Sequence, residues 1–280
     1  MKHKTKKVAI QGIAGSFHHE ATKRFFTDQF VLLSCINFHD IPNCLHTNTA
    51  QFAVMAIENS IAGAIIPNYA IIDNNQLNIV GEVYINIQQN LMALPNQKIN
   101  DIKKVYSHPM ALLQTREFFK DYPHIKLIED IDTAQVARRI KNKNLKKVGA
   151  VASVAAADIY GLNILNYSIQ TIKNNATRFF VLQNNVNPKY EIKNINKASL
   201  KFITKHEPGS LSKALNILAG HGINLSKIQS IPIIETPWKY AFFVDVIFDS
   251  YGRYQIAIQE LKKEVSQLKI LGEYKQFNKS

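Results

Sequence analysis

Between Gln183 and Ala198 the chain reads NNVNPKYEIKNINK, a polar, aperiodic stretch containing Pro188, and the sequence obeys different rules on its two sides. That composition marks a linker. Before it, short apolar, β-branched runs alternate with segments of helical period. Strands are expected at VAIQ (8–11), LLSCINF (32–38), FAVMAIE (52–58), LNIVGEV (77–83), NLMAL (90–94), KKVYS (103–107), IKLIE (125–129), KKVGAVA (146–152) and RFFVLQ (178–183). Helices are expected over 19–27, 64–74, 110–122, 133–141 and 154–160, the last stopped by Gly161. Alternation of this kind argues for parallel α/β layers. After the linker the order becomes strand (SLKFITKH), helix (SLSKALNILAGH), two strands (NLSKIQSIPII, YAFFVDVIF), helix and strand (LKILGEY), a β-α-β-β-α-β unit of ferredoxin-like type. Leu211, Leu215 and Leu218 lie at the spacing of one apolar helical stripe, with Ser210 as its expected cap. The predicted division is therefore a domain over 8–183, a linker over 184–198 and a second domain over 199–276.

The chain has 280 residues and ordinary globular composition, enough for two domains. No apolar stretch approaches the roughly 20 residues that span a bilayer, and the basic start MKHKTKK runs into VAIQG without an apolar leader core. A cytoplasmic, soluble protein without a membrane partner is expected. Cys35 and Cys44 fit neither a CxxC motif nor a disulfide framework and are read as reduced, structural thiols. The net charge of +13 raises nucleic acid as a partner. However, the densest patches, 2–7 and RRIKNKNLKK (138–147), interleave no aromatics, and no helix-turn-helix or zinc spacing accompanies them. No nucleic-acid partner is expected. Gly12 and Gly15 do not complete GxGxxG, no P-loop appears, and no cluster has metal-ligand spacing. No cofactor and no metal are expected.

The run AVMAIENSIAG (53–63) is apolar as a buried strand is, then ends on Glu58-Asn59-Ser60. Two readings stand side by side: a polar pocket beyond the strand end, where α/β sheets bind ligands, or an N-cap before a helix. Thr177-Arg178 admits a similar pair, a reactive hydroxyl with a cation or a plain edge strand. Ser107-His108-Pro109 reads as a substrate contact or as a strand-to-helix turn. For Asp132-Thr133-Ala134 an N-cap suffices.

Four segments stand in order: GIAGSFHHEA (12–21), AIENSIAGAI (56–65), YSHPMALLQT (106–115) and NNATRFFVL (174–182). Together they resemble the prephenate dehydratase family, and the tail EPGSLSKALNILAGHGINLSKIQSIPI resembles the ACT domain that follows its catalytic domain. The resemblance implies a two-lobed α/β catalytic domain, periplasmic-binding-protein-like, and an α+β ferredoxin-like ACT domain. It implies decarboxylative dehydration of prephenate to phenylpyruvate, carbon dioxide and water in phenylalanine biosynthesis, in a cleft between the lobes. With the first strand starting at Val8, no chorismate mutase domain is expected ahead of it.

The resemblance assigns Thr177 as donor to the departing hydroxyl, with Glu58 and Asn59 as its catalytic companions; the proton's source, Glu58 or water, stays open. Arg178 is assigned to a substrate carboxylate and Phe179 to packing beside the ring. Ser16, Ser60, Ser107 and Gln114 match positions lining the cleft. His18 stands where the family usually has serine, and Asp132 where it commonly has serine. In the ACT domain, the effector segments fall on Gly209, Ser210, Leu211 and Ser212 and on Gln229, Ser230, Ile231 and Pro232, with Asn224 nearby. Gln229 and Ile231 replace a usual Glu and Arg, so no charge-assisted contact can form there, and altered phenylalanine sensitivity is expected. ACT domains pair, which implies a homodimer or homotetramer. Arogenate as substrate, a catalytically silent sensor of a small acid, and a nucleic-acid binder are the competing readings.

Overall fold

The computed structural model describes residues 5–27, 29–185, 192–233, 236 and 239–277. Residues 2–4 of the first basic patch, 186–191 of the linker and the end of SIPII at 234 lie outside them. The elements run β1 (Lys6–Gln11), α1 (Phe17–Phe25), β2 (Phe30–Cys35), α2 (Ile41–His46), β3 (Phe52–Asn59), β4 (Gly63–Ala64), α3 (Ile66–Asn74) and β5 (Leu77–Asn86). Then come β6 (Asn90–Ala93), β7 (Lys104–Ser107), α4 (Pro109–Phe119), β8 (Lys126–Glu129), α5 (Thr133–Asn142), β9 (Val148–Ala152), α6 (Val154–Tyr160), β10 (Asn163–Asn166) and β11 (Ala176–Asn184). The last part holds β12 (Lys197–Ile203), α7 (Ser210–Gly220), β13 (Asn224–Pro232), β14 (Tyr240–Ile247), α8 (Tyr251–Glu264) and β15 (Gln267–Tyr274). Two compact units result, residues 1–63 with 83–179, and residues 64–82 with 180–280.

One sheet has the order β2-β1-β3-β11-β5, with β4 beside β3. Its β1 runs parallel to both β2 and β3. A second sheet in the first unit has the order β10-β6-β9-β7-β8. It is mixed, not parallel as expected: β6 runs against both β9 and β10, while β7 is parallel to β8 and β9. Strand β6 is fed by β5, a strand of the other sheet, rather than through a crossover helix from a strand of its own, so the rule that makes such strands parallel does not set its direction. Side chains alternate across this sheet. Met92, Ala150 and Ala152 pack on one face with Val136, Ile140 and Ala156, whereas Leu91, Ala93 and Val151 pack on the other with Leu112, Phe119 and Ile169. Both faces are therefore dry.

The expected strand LLSCINF stops at Cys35. Asn37 and Asp40 form a reciprocal capping box there and turn the chain into a short 3-10 segment and α2, neither foreseen. The Cys35 and Cys44 sulfurs lie 3.7 Å apart and both thiols are free. Burial is the main force that pushes the Cys35 thiol up to about 12, as suits a structural thiol.

In the second unit a four-stranded antiparallel sheet, order β13-β14-β12-β15, carries α7 and α8 on one face. Ala198, Leu200 and Phe202 point inward from β12 against Leu218, Tyr254 and Leu261. In α7 the stripe runs through Leu211, Ala214 and Leu218; Leu215, expected in it, gives its place to Ala214. Ser210 is not the cap either: Gly209 takes that position at φ 80°, and the Ser210 hydroxyl donates to the Glu207 carbonyl. The alternate residues of β12 make a polar second face. There Lys197 pairs with both oxygens of Glu82 at 2.9 Å, with both partners buried, and Lys201 and Lys269 both bind Asp73. A buried ion pair contributes little net stability, but removing one partner leaves a stranded charge. Glu82 and Asp73 thus tie residues 64–82 to this sheet.

Candidate active site

At the carboxyl end of β3, Asn59 and Ser60 meet the start of β11. Backbone carbonyl Ala176 accepts Ser60 N–H at 2.8 Å, and Ala176 N–H donates to Ser60 Oγ at 2.9 Å. Asn59 caps no helix, because α3 begins only after Ile65. Instead its Oδ1 accepts the N–H groups of Ile61 and Ala62 at 3.0 and 2.9 Å. This pins the amide, so its NH2 must face the other way, and it donates to Asn175 Oδ1 at 2.6 Å and Thr177 Oγ1 at 2.9 Å. An amide NH2 has two protons, and both are now used. Thr177 is the acceptor, and its own O–H is left to donate elsewhere.

Alternation along β3 and β11 puts Glu58 and Arg178 on the face opposite Asn59 and Thr177. Arg178 is 4% exposed; its guanidinium lies 3.8 Å from Glu58 and 6.0 Å from the Tyr84 ring. Phe179 differs from the expectation of a ring-packing wall. It is 1% exposed and meets the His18 ring edge-on at 5.0 Å, so it supports the strand from beneath. Position 18 can hold a histidine because Nε2 accepts Ala56 N–H at 3.3 Å. Burial lowers the ring's pKa to about 3, so it stays neutral.

Ser16 caps α1, its Oγ accepting His19 N–H. The loop before it, from Gly12 to Gly15, approaches the second sheet closely: Ser153 Oγ donates to the Gly15 carbonyl at 2.7 Å and Tyr160 OH to that of Ala14 at 2.7 Å. A Cβ on Gly15 would lie 2.9 Å from the Ala156 backbone, and φ there is +88°, so only glycine fits. Asp132 faces Gly12 and caps α5 through Gln135 N–H. Burial pushes its carboxyl up, against backbone N–H bonds and the nearby His108 and Arg138. Glu20 is also raised by burial, against the nearby Ser153 and Lys23.

Ser107 does not line the cleft as expected. It is fully buried and donates its proton to the Val151 carbonyl at 2.6 Å. Gln114 is half-buried; its Oε1 faces Gln89 Nε2 at 3.5 Å, and its backbone carbonyl holds Thr171. Asn175, Glu20 and Ser153 carry polar contacts at the site that reading the sequence did not assign. Asn175 and Glu20 stood within the quoted NNATRFFVL and GIAGSFHHEA, whereas Ser153 has no local mark beyond a helix start. Among the described residues no group of three or more His, Cys, Asp or Glu side chains could hold a metal ion, and no helix is long and apolar enough to cross a membrane.

Of the effector positions, Gly209 and Leu211 line a cavity of about 600 Å³ with Thr204, His206, Tyr240 and Phe242. Asn224, Gln229 and Ser230 lie on the edge strand β13 and are not among that cavity's lining residues. The Gln229 amide donates to the Ser230 carbonyl at 2.9 Å.

Residues 8–187 match the family described as prephenate dehydratase, and residues 198–250 match the ACT domain. A bifunctional chorismate mutase/prephenate dehydratase of Buchnera aphidicola is 35% identical over 94% of this chain and 69% of its own length. Arogenate dehydratase 2 of Petunia hybrida is 35% identical over 96% of this chain and 71% of its own. A solved structure described as GqqA, a novel type of quorum quenching acylase, is 27% identical, covering 97% of this chain and 98% of that one with a TM-score of 0.86. With its motifs in order on two mixed α/β sheets and an antiparallel α+β domain following them in sequence, the chain belongs to the prephenate dehydratase family and carries that family's chemistry with an ACT regulatory domain.

Proposed function

We propose that this dehydratase acts through the free hydroxyl proton of Thr177, and the observation that carries this reading is the Asn59-to-Thr177 hydrogen bond. Prephenate is a dianion whose ring becomes aromatic when its carboxylate leaves as carbon dioxide and its hydroxyl leaves as water. One proton is consumed, at the hydroxyl oxygen. Thr177 is a weak acid alone, but a hydroxyl that receives a hydrogen bond donates a stronger one. Positioned proton donation contributes about 10²–10⁴-fold. Arg178, a buried cation at the same strand end, supplies positive field for the two substrate carboxylates, where low dielectric strengthens it. Glu58 balances it, and Ser16, Ser60 and Gln114 supply polar contacts.

Acyl transfer, named for the solved relative, needs a nucleophile with a base in reach. The buried Ser107 and Ser153 hydroxyls donate to backbone carbonyls instead, which favours dehydration. The catalytic domain is taken as 8–183, the linker as 184–198 and the ACT domain as 199–276. For the ACT domain, an amino-acid effector such as phenylalanine beside Gly209 and Leu211 and pairing of two copies as a homodimer or homotetramer complete the reading. Phenylpyruvate formation from prephenate, with arogenate in parallel, tests the reading: turnover by the native chain that collapses in Thr177→Ala supports it. A folded native chain inert to both substrates overturns it.

A further inference from the structure

The Asn59–Thr177 contact has a third member. Asn175 is 1% exposed, and its Oδ1 takes one of the two Asn59 amide protons at 2.6 Å. Its own Nδ2 is buried without a partner. A buried donor left unpaired is destabilising, and such a group calls for an explanation.

The hydrogen-bond directions supply one. Ile61 and Ala62 hold Asn59 by its oxygen, so Asn59 presents only donors to its other neighbours. Asn175 must answer with its oxygen, and its NH2 is the group left over. Asn175 is anchored independently by its backbone, which accepts Ile87 N–H at 2.7 Å and donates to Lys173 O at 3.1 Å. The Ala176 carbonyl lies 3.4 Å from Asn59 Nδ2, a second acceptor already within reach. Without Asn175, that carbonyl draws the amide away from Thr177.

We propose that Asn175 is a positioning residue: by taking one Asn59 proton it aims the other at Thr177 Oγ1, which leaves the Thr177 proton for the departing hydroxyl. The unpaired Nδ2 is a consequence of that arrangement. The inference rests on the dehydratase reading above.

The test compares kcat and KM for prephenate in the native chain, Asn175→Leu, Asn59→Leu and the double variant, alongside thermal midpoints. In Asn175→Leu, kcat is expected to fall about 10–100-fold, part of what a proton donor supplies, with KM within about threefold. Its midpoint is expected to be no lower than native, since the orphaned donor has gone. A purely structural asparagine would lower the midpoint and spare kcat. The double variant should match Asn59→Leu, because Asn175 acts only through Asn59. Native kcat in Asn175→Leu, or losses that multiply in the double variant, overturn the inference while leaving the dehydratase reading intact. If Asn175→Leu does not fold, a double variant slower than Asn59→Leu overturns it and an equal one upholds it. A native chain inert to prephenate and arogenate overturns both.

Discussion

Thr177 and Ser107 are both buried hydroxyls at the ends of sheet strands, and the four quoted segments contain both, yet their protons point to different fates. Ser107 gives its proton to the Val151 carbonyl and is 0% exposed. Thr177 receives a proton from Asn59 and is 8% exposed. A hydroxyl that donates inward is part of the scaffold. One that accepts from the scaffold keeps a donor for a ligand. Residue type and burial alone do not separate the two; the direction of one hydrogen bond does.

The sharpest way to break this contrast is to remove each hydroxyl. Thr177→Ala should lower kcat about 10²–10⁴-fold, the range of a positioned proton donor, with KM changed only severalfold. Thr177→Ser, which keeps the hydroxyl, should recover most of the loss. Steady-state kinetics on prephenate decide it: a Thr177→Ala enzyme within tenfold of native kcat would end the claim that the Thr177 proton is used.

A second expected effect concerns the support beneath Thr177. His18 titrates near 3 when folded, against an ordinary value of 6.5. Above pH 6.5 the ring is neutral in both states. Below that, the unfolded chain takes up a proton that the folded chain refuses until about pH 3, so stability falls as pH falls. The loss attributable to His18 amounts to about 2 kcal/mol by pH 5. Denaturant titrations at several pH values should show this slope in the native chain and lose it in His18→Gln; an unchanged slope would mean that the ring is not held neutral beneath Phe179.

Much of this was legible in the sequence. Asp132 caps its helix as residue type predicts, Gly161 stops α6 in a left-handed turn, and the β-α-β-β-α-β order recurs strand for strand. The four motifs pointed to the right chemistry. What local reading missed depends on neighbours distant in sequence. Strand β6 escapes the parallel rule because it is fed by β5, a strand of the other sheet. Ser107 disappears inward because Val151, 44 residues away, offers a carbonyl. Residues 64–82 read as catalytic-domain sequence, yet Asp73 and Glu82 find their lysines on β12 and β15. Asn175 gained meaning only once Asn59 was seen to be pinned.

The scaffold half of the contrast makes a smaller prediction. Ser107→Ala removes a donor from a buried carbonyl and should cost about 1–3 kcal/mol of stability, while kcat stays within about threefold of native. Equilibrium unfolding and kinetics on the same preparation check both halves. A Ser107→Ala enzyme of native stability and depressed kcat would move Ser107 to the ligand side of the contrast.

The weakest expected effect lies in the ACT domain, where the same distinction between free and occupied donors applies. The Gln229 amide already donates to the Ser230 carbonyl on its own strand, and neither Gln229 nor Ile231 carries a charge with which to hold an amino acid's ends. Neutral hydrogen bonds are about half as strong as charge-assisted ones, and here the donor faces the backbone. Phenylalanine titrated against prephenate turnover should therefore inhibit only weakly. Strong inhibition at micromolar phenylalanine would show that backbone groups beside Gly209 and Leu211 suffice for the effector, and that an occupied side chain at position 229 is no obstacle to regulation.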